Sequence, residues 1–216
     1  ARALHAGFID YAIVGGVDSL CDTTLQGFNS LQLVDNQRCR PFDRNRNGIN
    51  LGEAGGFALL VRGETKNALT LLGVGESSDA YHMSSPHPEG VGAYLAMQQA
   101  LHNAGLNSAD INYINLHGTA TVANDLAEGK AVKRLFAHVP ACSSTKGFTG
   151  HTLGAAGIIE VNIALLAIEQ QMVWGNAQLA EYDSATEIRP ILTSVKAPIN
   201  CVLSNSFGFG GSNCSV

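Results

Sequence analysis

The segment from Ala155 to Ile168 is apolar on nearly every side of a helix, interrupted only by Gly157, Glu160 and Asn162. Such a helix has no face suited to water and must be covered on both flanks, which requires a layered fold with other elements on either side of it. Glu160 and Asn162 also keep the run short of the roughly 20 apolar residues that span a bilayer, so no membrane span is expected. With 45% hydrophobic and 14% charged residues among 216, the chain has enough apolar material to build that core and too little charge for disorder.

Around this helix the 24 glycines fall at the ends of short apolar runs rather than in a repeat, the punctuation of an α/β protein. Tyr11–Val14 ahead of Gly15-Gly16, Phe57–Val61 and Leu71–Val74 read as short buried strands. Asp35 to Gly52 is polar and turn-rich. Tyr94, Met97, Leu101 and Ala104 share one face and Gly105 supplies a stop, which predicts a helix over Val91–Ala104. A strand over Ile111–Leu116 precedes a helix capped by Asn124-Asp125, with Glu128 placed as in a capping box and the end near Phe136. Strands at Ala141–Ser144, Leu192–Val195 and Cys201–Ser204 complete a mostly parallel or mixed sheet covered by helices.

A net charge of −5 with scattered Arg and Lys leaves no electrostatic footprint for nucleic acid. Arg38, Arg40, Arg44 and Arg46 make one local basic cluster, a patch of the kind that meets an acidic protein. Cysteines 21, 39, 142, 201 and 214 form no C-x-x-C pair and are odd in number, which fits a reducing, cytoplasmic setting. Asp43 to Gly48 imitates the start of a calcium loop, but Ala54 stands where the bidentate Glu belongs. Thr149 to Gly154 imitates a phosphate loop without its Gly-Lys-Ser/Thr, so neither a metal nor a nucleotide is expected. The opening Ala1-Arg2-Ala3-Leu4-His5 reads as the interior of a longer protein.

Chemistry concentrates in three constellations at strand ends, the usual place for a site in such folds: Leu116 to Thr121, Ser143 to His151 and Ser204 to Gly211. His151 precedes the apolar helix, whose positive end disfavours imidazolium, so a neutral ring able to donate to an oxyanion is expected there. Glu160 within that helix needs a counter-ion, and Lys146 is the nearest one in sequence.

In this order the motifs resemble the β-ketoacyl synthase branch of the thiolase superfamily. They are Pro41-Phe42-Asp43 through Gly48 and Gly52-Glu53, Asp79-Ala80-Tyr81-His82-Met83, His117-Gly118-Thr119, Lys146 with Gly150-His151, and Asn205 to Gly211. The resemblance implies an α/β, thiolase-like fold of helix-sheet-helix-sheet-helix layers, with residues 1–76 as the end of the first half and 77–216 as the second. It implies an acyltransferase that condenses malonyl and acyl groups, both borne on the phosphopantetheine of an acyl carrier protein, with loss of CO2, in a dimer of like or unlike subunits and with no cofactor. His117 and His151 would stabilise the enolate, and Lys146 with Glu160 would orient them. Thr119 and Thr121 would contact the pantetheine arm, Phe209 would gate the nucleophile, the Asp79 to Ser84 loop would move beside it, and Arg40 would face the carrier.

The family's nucleophilic cysteine lies just upstream of a segment resembling Ala1 to Gly7, so it is expected in an N-terminal half outside this sequence. Cys142 sits in an imitative Ala-Cys-Ser-Ser setting but is expected inside a strand. One departure is Gly52-Glu53-Ala54-Gly55-Gly56 where the family more usually has Gly-Glu-Gly-Ala-Gly. A thiolase would carry a second cysteine in the glycine loop that here holds Phe207 and Phe209, and a non-catalytic chain-length factor would often have lost residues that here remain.

Overall fold

A computed structural model describes residues 1–63, 66 and 68–216. After the short α1 (Arg2–His5), β1 (Tyr11–Asp18) runs into α2 (Asp22–Ser30), and β2 (Ala54–Val61) returns to pair with β1 antiparallel, Tyr11 opposite Val61 and Asp18 opposite Ala54. Then come β3 (Gly75–Ser78), α3 (Val91–Ala104), β4 (Tyr113–Asn115), α4 (Val122–Leu135), β5 (Ala141–Ser143), α5 (Lys146–Thr149) and α6 (Ala156–Gln170). The chain closes with β6 (Met172–Val173), β7 (Val195–Lys196), β8 (Val202–Phe207) and β9 (Ser212–Ser215). The main sheet has the order β3-β9-β8-β4-β5 and is mixed: β8, β4 and β5 run parallel, while β9 is antiparallel to both β3 and β8.

Helix α6 packs between the β1–β2 pair and β8, and α3 and α4 cover the main sheet's other face. The succession is sheet, helix, sheet, helix, four layers of the thiolase-like arrangement. The deeply buried positions of α6 are Ala156, Glu160, Ala164 and Ala167, a single stripe at helical spacing. The rest of the helix is partly open, so it is less enclosed than its composition implies; Leu166 is exposed. The outer face of β1–β2 is open as well, with Tyr11, Ile13 and Val17 beside Phe57, Leu59 and Val61 all exposed.

Three expectations shift on inspection. Strand β1 continues through Gly15-Gly16, because these glycines serve close approach rather than a turn: a Cβ on Gly16 would stand 2.5 Å from the Gly154 carbonyl oxygen. Leu71–Val74 is irregular, since the Val74 carbonyl accepts from the Asn103 side chain (2.8 Å) and the strand begins only at Gly75. Of Leu192–Val195 only Val195 lies in a strand, because Ser194 turns its hydroxyl to the Gly175 N–H.

Candidate active site

Strand β4 ends at Asn115, and the chain then turns sharply through His117, Gly118 and Ala120. Gly118 has φ +36°, and a Cβ there would lie 2.5 Å from that of Ser144, so no other residue fits without a shift. The backbone N–H groups of His117 and Gly118 both donate to the buried Glu128 carboxylate at 2.8 Å. Asn205 on β8 donates to the same carboxylate at 3.1 Å.

The expected capping box is therefore absent. Thr121 is the N-cap of α4, accepting from the Asn124 N–H at 3.4 Å, and Glu128 has turned inward to the loop. Asp125 also points inward, where it accepts from the Phe42 and Ala120 N–H groups and faces Arg46 at 3.4 Å.

Lys146 stands at the start of α5 with 2% of its surface exposed. Its ammonium pairs with Glu160, donates to the His117 carbonyl at 2.5 Å and lies 3.2 Å from His117 Nδ1. Because an ammonium only donates, Nδ1 is the acceptor and the neutral His117 ring carries its proton on Nε2. Burial pushes the His117 imidazole well below its usual range, helped by the charge of Lys146 and then by His151. Burial, with Lys146, pushes His151 down to about 3. The two rings meet edge to face with centroids 5.3 Å apart.

His151 is held from the other side of the molecule. Its N–H donates to the Asn50 carbonyl at 2.7 Å and its carbonyl accepts from Gly52 at 3.1 Å. Three residues on, the Gly154 N–H donates to Asp18 at the end of β1 at 2.9 Å. The ring's Nδ1 is buried with no hydrogen-bond partner among the described residues.

Both histidines line a cavity of about 740 Å³, with Thr119, Thr121, Phe28 and Phe209 also on its wall. The hydroxyls of Thr119 and Thr121 are 2.9 Å apart. Phe209 is about half exposed and rests against Phe28 of α2, ring centroids 5.8 Å apart. Its turn is tied to the Asp79 to Ser84 loop: the Gly210 N–H donates to the Met83 carbonyl at 2.8 Å, and Asp79 accepts from the Asn213 side chain. The site thus combines two neutral ring donors on the wall of a mostly apolar cavity with a buried cation behind them, an arrangement suited to stabilising charge on one oxygen.

The arginine cluster does not survive as a patch of four. Arg46 is buried and bonded to Asp183 at 2.6 Å, exposed Arg44 pairs with Glu181 at 2.8 Å, and the partly exposed Arg40 faces Asp35 at 3.8 Å, which among the described residues leaves exposed Arg38 without an ion pair. Arg40 donates to the Asn45 carbonyl at 2.8 Å. Asp43, the false start of a calcium loop, spends its carboxylate on the N–H groups of Asn45, Ala180 and Glu181.

All five cysteines are free. Cys142 lies in β5 as expected, and burial, followed by the charge of Glu128, pushes its thiol up to about 12, which leaves no thiolate at neutral pH. The sequence reading missed Glu128 as a partner of the His117 loop and missed α2 entirely. For α2 the available signal was the Leu25 to Phe28 spacing after Asp22; Glu128 shares its helical face with Asn124 and Asp125, so its inward direction carried no local signal.

Residues 1–66 match the sequence model described as beta-ketoacyl synthase, N-terminal domain, and residues 69–180 match the C-terminal domain of the same family. Among curated relatives, 3-oxoacyl-[acyl-carrier-protein] synthase 2 of Rhizobium meliloti is 38% identical, the match covering 100% of this chain and 55% of the relative. The mitochondrial 3-oxoacyl-[acyl-carrier-protein] synthase of Arabidopsis thaliana is 36% identical over 100% of this chain and 51% of its own length. The chain thus spans about half the length of these relatives. Among solved structures, a chain of the ketosynthase in complex with its chain length factor from Xenorhabdus doucetiae is 44% identical, with a TM-score of 0.91 over 99% of this chain and 54% of that one. The ishigamide ketosynthase/chain length factor gives a TM-score of 0.92 at 30% identity, over 99% of this chain and 55% of that one.

Proposed function

Because this chain belongs to the β-ketoacyl synthase family, we propose that it forms the decarboxylating side of a condensing enzyme's active site and works with an N-terminal half that bears the cysteine. The observation that carries this reading is the pair of neutral histidines, edge to face on the cavity wall, with the buried Lys146–Glu160 pair behind them. A malonyl thioester bound there loses CO2 when its C–C bond breaks and the electron pair moves into the thioester as an enolate. The enolate oxygen accepts hydrogen bonds from His117 and His151, donors already fixed in place before the charge appears. The carbon end then attacks the acyl thioester on the cysteine, and the thiolate leaves. Thr119 and Thr121 meet the pantetheine arm, and Phe209 screens the cysteine.

A non-catalytic chain-length factor has no use for both ring donors and their ion pair, and their joint presence favours catalysis. We assign the substrates to acyl carrier protein thioesters and the assembly to a dimer, as in the solved complexes whose names pair a ketosynthase with a chain length factor. The open apolar face of β1–β2 is assigned to the remainder of the first half. Five free cysteines suit a reducing cytoplasmic setting.

The test sets the full-length protein beside this chain, each given acyl- and malonyl-carrier protein. The full-length protein is expected to release CO2 and yield a product two carbons longer, while the chain alone does neither. Peptide mass spectrometry should find no stoichiometric acyl group on any of its five cysteines. Acylation of Cys142, or a full-length protein that turns over no malonyl thioester, overturns the reading.

Docking is assigned to exposed Arg38 and to the partly exposed Arg40, whose guanidinium also faces the Asp35 carboxylate at 3.8 Å. Reversing Arg40 to Glu is expected to raise the KM for carrier-bound substrate about 3- to 10-fold at low salt, and less as salt screens the encounter. An unchanged KM at low salt removes Arg40 from the docking surface.

A further inference from the structure

Helix α6 starts without a cap from its own sequence. A single 3-10 turn, Leu153–Ala155, leads into it, and neither Thr152 before that turn nor Ala155 before α6 accepts with its side chain from the N–H groups that a helix start leaves without partners. The backbone on both sides of His151 is also held in the left-handed region. Gly150 has φ +69°, and Leu153 has φ +46°, a value that a leucine keeps only where its surroundings enforce it. The enforcing contact comes from far away in sequence: Asp18, half-buried at the end of β1, accepts from the Gly154 N–H at 2.9 Å. We propose that Asp18 is a positioning residue for decarboxylation, giving α6 the N-cap it lacks and so fixing the turn that follows His151 and the place of that ring on the cavity wall. The proposal rests on the reading of His151 as an enolate donor and adds what holds it there.

The contact has the chemistry of a cap. A short carboxylate reaches one backbone N–H, and its charge is favoured at the positive end of the helix. An asparagine oxygen caps about as well, so acceptance rather than charge is the larger part of the role. The neighbouring ties on His151 are main-chain bonds to Asn50 and Gly52, which fix its own peptide and leave the downstream turn to Asp18. Asp18 is itself well mounted: it lies opposite Ala54 in the β1–β2 register, and two residues on the Leu20 N–H donates to Glu53 at 3.2 Å. Without the cap, Leu153 is free to relax toward right-handed values and to shift the ring that precedes it. His117 is held by Lys146 on a separate loop and keeps its place.

The experiment uses the full-length protein and follows CO2 release from malonyl-carrier protein separately from acyl transfer to the cysteine. Asp18→Ala is expected to lower the kcat of CO2 release about 5- to 20-fold, the scale of a donor shifted by less than an ångström, with KM and acyl transfer within about twofold of wild type. Asp18→Asn, which keeps the acceptor, is expected to stay within about twofold in both half-reactions. In a His151→Ala background the further change from Asp18→Ala should be under about twofold, because the ring it positions is gone. Asp18→Val, whose branched side chain suits a strand end, decides the matter if the Ala variant does not fold. CO2 release within twofold of wild type in a folded cap-less variant, equal loss in both half-reactions, an Asn variant as poor as Ala, or an undiminished loss in the His151→Ala background each overturns the proposal. The His151→Ala parent separates the two ideas. If it still decarboxylates at a near wild-type rate, the enolate-donor reading has failed; if it is dead while Asp18→Ala is fully active, only the positioning role has.

Discussion

Replacing His117 or His151 by Ala in the full-length protein should lower CO2 release from a malonyl thioester about 100- to 1000-fold, while transfer of an acyl group to the cysteine stays within about fivefold of wild type. The asymmetry follows from where charge develops. On the proposed mechanism, decarboxylation leaves a full negative charge on one thioester oxygen beside two neutral rings, whose centroids are 5.3 Å apart. Acyl transfer builds its charge at the cysteine's own carbonyl instead. Burial holds both rings below their usual range, so they donate without competing as cations across the working pH. The double variant should be little worse than either single one, since the donors act as a unit. A variant that decarboxylates at a near wild-type rate would remove that histidine from the mechanism.

Lys146→Met is expected to damage both stability and activity, and the two effects can be parted. The substitution leaves Glu160 buried without its cation, a loss of about 3–5 kcal/mol. Burial already holds the Glu160 carboxyl above the usual carboxylate range, against the pull of Lys146, and removing the lysine raises it further. A carboxyl whose folded pKa exceeds its unfolded value adds stability at low pH and gives it up as pH rises, so the variant's melting deficit should be larger at pH ~8 than at pH ~5.5. Removing both charges with Lys146→Met/Glu160→Leu should recover most of that stability, because a buried pair exchanged for apolar groups is often neutral. It should not recover CO2 release, because His117 Nδ1 and its carbonyl have still lost the ammonium that contacts them. A double variant that regains both would make the pair a packing feature and nothing more.

Much of the site was legible from residue types and order. His117 and Lys146 follow the parallel strands β4 and β5, Glu160 lies on the buried stripe of α6, and His151 sits in the link between α5 and α6. What escaped was direction. A carboxylate three residues after Asp125 reads as a capping box, and nothing local tells that Glu128 turns inward to a loop on the preceding strand instead. Arg46 reads as one more surface charge, yet Asp125 and Asp183, distant in sequence, draw it into the interior. The layered fold was announced by α6, but its partial exposure depends on which neighbours it meets, which its own periodicity does not encode.

The two histidines are suspended from different places. His117 hangs from Glu128, itself held by Asn205, and from Lys146, all later in the chain, whereas the backbone of His151 is bridged to Asn50 and Gly52 and its following turn is tied to Asp18. The gap between the two rings therefore works as a caliper, each jaw mounted on a different stretch of the polypeptide. A graft that moved only the later stretch into another framework would carry one jaw in true alignment and leave the other to be set by the host. Chemistry that needs both would be lost well before the fold itself gave way.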